Sequence, residues 1–375
     1  MPFQKHKEST ATVRRVSRLL IATLAVGTIG ACGDDSTADP TPAPGFLGGV
    51  SGNREIGVVV NSSGKSITMF QLGSPSTTQV IALGSSSTIT PTGLSMRLRK
   101  AAVPLGNAAS VAIVNLETAT VQKFFTFASG NATGSAWSND TTVFVANTST
   151  NKIGRFYTTQ AATAITSQTD VAVAPTAVEF AGGKIFVVSG NFTSFPPTAS
   201  GIVTVINPTT MAVLGIVQTG GPNSSAAAVG PDGLLYVLNT GDYTAQSSIA
   251  IINPATLAVE TIPNVGVGQG SISIDANGLA YLSSFSGATM VWNTKTRVLV
   301  RGASDPLCAK RAGTGLCRGA SDAVPAATGK IYQTFFGSPS QGLAPYVFVY
   351  NATTFSLTDS IAVGTDPISI AVRTF

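Results

Sequence analysis

Residues 201–239 read GIVTVINPTTMAVLGIVQTGGPNSSAAAVGPDGLLYVLN, and two turn signals divide the stretch into successive hairpins. In Asn207-Pro208-Thr209-Thr210, Asn suits the first position of a type I turn and Pro presets φ at the second. Asp232-Gly233 turns the second hairpin, because Gly accepts positive φ. The runs between the turns are short, β-branched and apolar on both faces. Strands of that kind lie between neighbouring sheets instead of facing water on one side.

Looser copies of this unit fill most of the 375 residues. Tetrads related to Tyr236-Val237-Leu238-Asn239 begin at Val58 (VVVN), Val103 (VPLG), Phe144 (FVAN), Phe186 (FVVS), Tyr281 (YLSS) and Tyr332 (YQTF). Their spacings are 45, 41, 42, 50, 45 and 51 residues. A second series, Asn-x-x-Thr, begins at Asn115, Asn207, Asn253, Asn293 and Asn351 and interleaves with the first. One copy has lost the motif, at Arg155-Phe156-Tyr157. Four short strands repeating every 40 to 50 residues are the mark of β-propeller blades.

These residues resemble the YVTN β-propeller repeat family, whose members occur in secreted and envelope proteins, over residues 53–375. The reading is all-β, a seven-bladed propeller. Residues 366–372, DPISIAV, match an innermost strand such as 270–274, yet the chain stops before the next strand of that blade. Residues 56–61 supply it. The C-terminal strand is therefore expected to pair with the N-terminal one and close the ring, satisfying both edges.

With strands ordered outward from the channel, first-to-second and third-to-fourth connections share one face and are expected to be tight. The long insertions, 84–92, 190–200, 240–247, 302–322 and 337–345, fall on the other face. A scaffold elaborated on one side is expected to bind there. The candidate rim comprises Phe192, Phe195, Tyr243, Phe285 and Phe336, with Arg311 and Arg318 in a modest basic lip. Cys308 and Cys317, with eight residues between them, are expected to form a disulfide that pins this insertion.

The N-terminus gives an address. Lys5, Lys7, Arg14, Arg15 and Arg18 precede the apolar run 19–29, too short to span a bilayer as a mature helix but suited to a secretory signal. Ile29-Gly30-Ala31-Cys32 resembles the lipobox of bacterial lipoproteins, which implies removal of 1–31 and lipidation of Cys32. Residues 32–52 then form a Pro-rich tether carrying the propeller. Gly33, where inner-membrane lipoproteins carry Asp, points to the outer membrane.

The formal charge of +5 shrinks to +1 once those early cations are set aside, leaving 17 basic and 16 acidic side chains. A nucleic-acid partner loses its electrostatic footprint. The one histidine, His6, lies in the expected signal segment, which disfavours triads and His-ligated metals. No cofactor is expected. The leading reading is a lipid-anchored envelope module that binds a protein, polymer or glycan without catalysis. The alternatives are a periplasmic lactonase-type hydrolase, with a channel metal held by Glu179, Asp275 and Asp322, and a purely structural surface protein. Glu179 is singled out because it sits on an innermost strand in a column aligned with Trp137, Val229 and Ile274.

Overall fold

The computed structural model describes residue 46 and residues 54–72, 74–285, 287–338 and 342–375, with the side chains of 74–77 set aside. The expected signal segment and most of the expected tether, Cys32 included, lie outside the described residues. The described strands form seven four-stranded antiparallel sheets. Blade 1 draws on both chain ends, with β28 (Pro367–Thr374) innermost, then β1 (Glu55–Asn61), β2 (Ser66–Gln71) and β3 (Ser74–Ala82). Blade 2 holds β4 (Ser95–Arg97), β5 (Lys100–Pro104), β6 (Ser110–Asn115) and β7 (Thr120–Thr126). Blade 3 holds β8 (Ala132–Trp137), β9 (Thr142–Asn147), β10 (Lys152–Tyr157) and β11 (Ser167–Asp170). Blade 4 holds β12 (Pro175–Ala181), β13 (Lys184–Ser189), β14 (Ser200–Ile206) and β15 (Val213–Pro222). Blade 5 holds β16 (Ser224–Val229), β17 (Leu235–Asn239), β18 (Ser248–Ile252) and β19 (Val259–Ile262). Blade 6 holds β20 (Ser271–Ile274), β21 (Leu279–Ser283), β22 (Met290–Asn293) and β23 (Val298–Arg301). Blade 7 holds β24 (Ala323–Ala326), β25 (Lys330–Phe335), β26 (Tyr346–Asn351) and β27 (Leu357–Ala362).

The chain is a seven-bladed β-propeller. Each innermost strand touches the next around the circle, and β28 touches both β4 and β24. The closure is as the sequence leads one to expect: β28 pairs with β1 from Glu55↔Thr374 through Val59↔Ile370 to Asn61↔Pro367.

Every tetrad start falls on the second strand of a blade, and the packing explains its composition. Alternate residues of one strand enter different interblade cores. Val58 and Val60 pack towards blade 2, whereas Val59 packs towards blade 7. Tyr236 and Leu238 pack towards blade 6, whereas Leu235 and Val237 pack towards blade 4. Strands apolar on both faces are thus required, since both faces meet a sheet. Where the tetrad ends in Asn, the amide is buried and fastens neighbouring strand ends: Asn239 Nδ2 donates to Ser248 (3.0 Å) and its Oδ1 accepts from Ser224 (2.6 Å).

The Asn-x-x-Thr series is a turn motif. In all five copies the Asn Oδ1 accepts the backbone N–H groups two and three residues on, at 2.8–3.3 Å. The fifth residue, Ala119, Met211, Leu257, Arg297 or Phe355, has φ between 53° and 64°. The expected type I turn is therefore extended by a left-handed residue that sends the chain into the fourth strand.

A belt of side-chain hydrogen bonds joins every blade to the next. Ser62 donates to Pro91 O (2.8 Å), Thr92 to Ala132 O (3.2 Å), Thr133 to Pro175 O (3.1 Å) and Thr176 to Ser224 O (3.3 Å). Thr240 donates to Gln269 O (2.7 Å) and Ser273 to Ala323 O (2.5 Å). The last junction reverses the polarity, with Asp322 Oδ2 accepting from Ile370 N (3.1 Å).

The division of the faces needs one correction. The β10–β11 connection, residues 158–166, is a long loop on the face otherwise made of tight turns. It occurs in one of the two blades lacking Asn-x-x-Thr; the other, blade 1, still joins β2 to β3 by a short connection. The tail of the long loop is held by Ile165, whose N–H bonds Thr126 O (2.8 Å) and whose side chain is buried. If the Asn turns set this geometry, Asn207→Ala will cost about 1 kcal/mol in denaturant unfolding, the scale of a lost side-chain cap. Asn207→Asp, which keeps the acceptor, will cost less.

Candidate functional site

The inner strands enclose a channel of about 640 Å³ lined from all seven blades. Its wall is small apolar residues interleaved with hydroxyls, among them Thr92, Thr133, Ser135, Thr176, Ser225 and Ser271. Glu179 and Asp322 are the charged groups on that wall. They stand at opposite ends. Asp322 precedes β24 and also lines the mouth on the insertion face, about 430 Å³ with Phe285 and Ser321. Glu179, near the far end of β12, also lines a cup of about 330 Å³ at the tight-turn mouth.

The two carboxyls differ in their partners. Asp322 Oδ1 accepts from Ala323 N (2.9 Å), and Oδ2 accepts from Ile370 N (3.1 Å) and the Ser369 hydroxyl (3.4 Å). Burial pushes its pKa up to about 6, against the pull of those bonds. Asp322 is a clasp between blades 7 and 1. Glu179 has no such partner, and burial alone pushes its pKa up to about 8. The side chain is only partly accessible, from the channel and the cup, and the surrounding protein disfavours its charged form.

Strand pairing shifts the column assigned to Glu179. Glu179 pairs with Phe186, the start of its tetrad; the residues opposite the equivalent positions are Ala136, Ala228 and Ser273. Trp137, Val229 and Ile274 stand one residue further on. The shift arises in turn length: the β12–β13 hairpin closes on Ala181↔Lys184, whereas the hairpins after β8, β16 and β20 close on Trp137↔Val143, Val229↔Leu235 and Ile274↔Ala280, so a fixed spacing to the tetrad lands one residue off. Glu179 is the acidic member of that column in either alignment.

The third carboxylate of the expected metal set lies elsewhere. Asp275 caps the β20–β21 turn, accepting from Asn277 N (2.9 Å) and Leu279 N (2.8 Å). Among the described residues no three His, Cys, Asp or Glu side chains gather as a metal site. Glu179, Asp275 and Asp322 are separated into a channel acid, a turn cap and a ring clasp.

On the insertion face the aromatics sort into pairs. Phe195, from the β13–β14 loop, stacks on Tyr243 of the β17–β18 loop with centroids 6.0 Å apart. Phe285, from the β21–β22 loop, stacks on Phe336 of the β25–β26 loop at 4.6 Å. Each pair bridges adjacent blades, and Phe195, Tyr243 and Phe285 are more than half exposed. Phe192 instead folds back over Gly190 within its own loop. The Cys308–Cys317 disulfide forms, closing a small hairpin in which Arg311 N bonds Leu316 O (2.8 Å). Of the basic lip, Arg318 lies over Phe335 and Phe348 at 5.2 and 5.7 Å, and in the same insertion Arg301 pairs with Asp305 (2.8 Å).

Sequence reasoning missed the cup at the tight-turn mouth, lined by Arg97, Trp137, Glu179, Phe180 and Arg373. Its residues come from blades 1 to 4, and no motif marks them. The unusual acid on an inner strand was the one available signal.

Among solved structures the chain is similar to a functionally unknown protein from Desulfotomaculum acetoxidans, with a TM-score of 0.62 and 13% identity. The match covers 84% of this chain and 98% of that one. At that identity the likeness shows the fold alone. No family model and no curated protein matches the sequence.

The linkage of Glu179 to stability has a definite sign. The unfolded chain loses this proton near 4.5 and the folded one near 8, so the folded state holds the extra proton between them. Stability therefore falls as pH rises through that window. Glu179→Gln will raise stability at pH 9 by on the order of 2 kcal/mol, discounted for channel water, and change little at pH 4. Thermal melts at both pH values measure it.

Proposed function

We propose that this protein is a lipid-anchored module of the bacterial cell envelope, held at the outer membrane, that binds a protein, polymer or surface glycan through its insertion face without catalysis. The observation that carries the binding reading is the pair of exposed aromatic stacks bridging adjacent blades. Stacked rings offer rigid amphipathic contact area at low entropic cost, the property of residues that dominate binding surfaces. The opposite face presents mainly short turns fastened by their own side chains. The anchor rests on the sequence alone: the basic and apolar leader, the resemblance of residues 29–32 to a lipobox, and Gly33 after Cys32. The resemblance of the repeats to YVTN propellers of secreted and envelope proteins supports the same address.

Pull-down from envelope extracts with the full chain will recover a specific ligand. Phe195→Ala with Phe285→Ala will reduce capture at least tenfold while leaving the melting temperature within a few degrees. Trimming residues 190–200 or 302–322 will also lower it. Capture unchanged by all of these places binding elsewhere, and a chain that captures nothing but itself supports the structural-protein reading.

A further inference from the structure

The cup at the tight-turn mouth joins the channel at Glu179 and Phe180. Its charged lining is Arg97, Arg373 and Glu179, with Asp322 at the distant end of the channel. Arg97 donates through Nε to Asp140 at 2.8 Å, an exposed pair, which leaves its terminal nitrogens to other acceptors. Arg373 donates through Nη1 to Met96 O at 2.8 Å, which holds its guanidinium at the seam between β28 and β4. Trp137 is fixed by its indole N–H to Ser95 O (3.2 Å) and is buried in the core between blades 2 and 3, so that it offers the cup only its edge, while Phe180 is partly exposed. The volume of about 330 Å³ is at the small end for ligand pockets.

The charge balance of this cup is positive. Neither arginine pairs with Glu179, whose raised pKa has burial as its cause and no cation lowering it. Near neutral pH the Glu179 carboxyl is accordingly protonated, a donor with no hydrogen-bond acceptor among the described residues. Two guanidiniums, a hydrogen-bond donor and two aromatic rings around one small cavity are complementary to an anion with an apolar body.

We propose that this cup binds a small aromatic monocarboxylate, its carboxylate held by Arg97 and Arg373, its ring against Phe180 and the edge of Trp137, with the Glu179 carboxyl as a further polar contact. The site lies on the face opposite the aromatic stacks and is independent of what binds there. Ionisation of Glu179 places a negative charge beside the ligand, so affinity falls as pH rises through the range in which Glu179 titrates.

Titration calorimetry of the full chain with benzoate at pH 6.5 and 9.5, with benzylamine as the cationic counterpart, tests this. Expected are saturable benzoate binding at pH 6.5, at least tenfold weaker binding at pH 9.5, and no saturable benzylamine binding. Arg373→Met and Arg97→Met will each weaken benzoate at least tenfold with melting temperatures retained. Glu179→Gln will bind benzoate alike at both pH values. Absence of saturable benzoate binding at pH 6.5, preference for benzylamine, or native affinity in both arginine variants overturns the site. An unchanged pH dependence in Glu179→Gln overturns the part given to Glu179.

Discussion

Blade 1 depends on a strand from the other end of the chain. Without residues 367–374, β1 would face the channel with a row of unpaired backbone groups, and the core between blades 7 and 1 would lose Ile370 and Val372. Unpaired edges are costly and prone to pairing with other chains. The backbone ladder of β28 with β1 removes that edge, and the Asp322 clasp to Ile370 N fixes the same strand to blade 7. A circle of radial sheets is mechanically one object only when this junction is made. Until then the interblade cores can open in sequence from either end.

Closure also explains where chemistry can sit. A ring of seven inner strands leaves an axial space, and small residues such as Ala177, Ala226 and Ala227 keep that space open. A carboxyl placed there is largely surrounded by protein, and that desolvation raises the Glu179 pKa to about 8 without a special partner. Asp322, in the same channel, is held nearer its usual value by the amides it caps. The two faces then diverge. One carries loops long enough to project aromatic pairs, and the other carries turns that end on a cup of arginines.

Much of this architecture was legible in the sequence because turn chemistry and packing are local. Asn207 and its four counterparts bond amides within three residues, and Tyr236 and its counterparts face the following blade in every copy but the degenerate one in blade 2, where Val103 faces blade 1 and Ala102 faces blade 3. The C-terminal strand was legible because residues 366–372 repeat an inner-strand pattern left unfinished. Finer placements failed where local rules stop. The β12–β13 turn differs in length from those after β8, β16 and β20, which shifted the column of Glu179 by one residue, and a fixed spacing to the tetrad does not show it. Asp275 reads like a channel acid but caps a turn, because its two amide donors lie two and four residues away. The arginine cup joins β4 to β28, separated by nearly the whole domain, and only the folded ring brings Arg97 and Arg373 together.

Hydrogen–deuterium exchange of the full chain, read by mass spectrometry on peptides covering residues 55–61 and 367–374, tests the closed ring most directly. Amides of strands that open only in global unfolding share its free energy. The account predicts that both peptides exchange slowly and together, at the rate of the second strands of blades 4 and 5. Rapid exchange of residues 367–374 while 235–239 stay protected would contradict it, since the ring would then be open where everything else requires it to be joined.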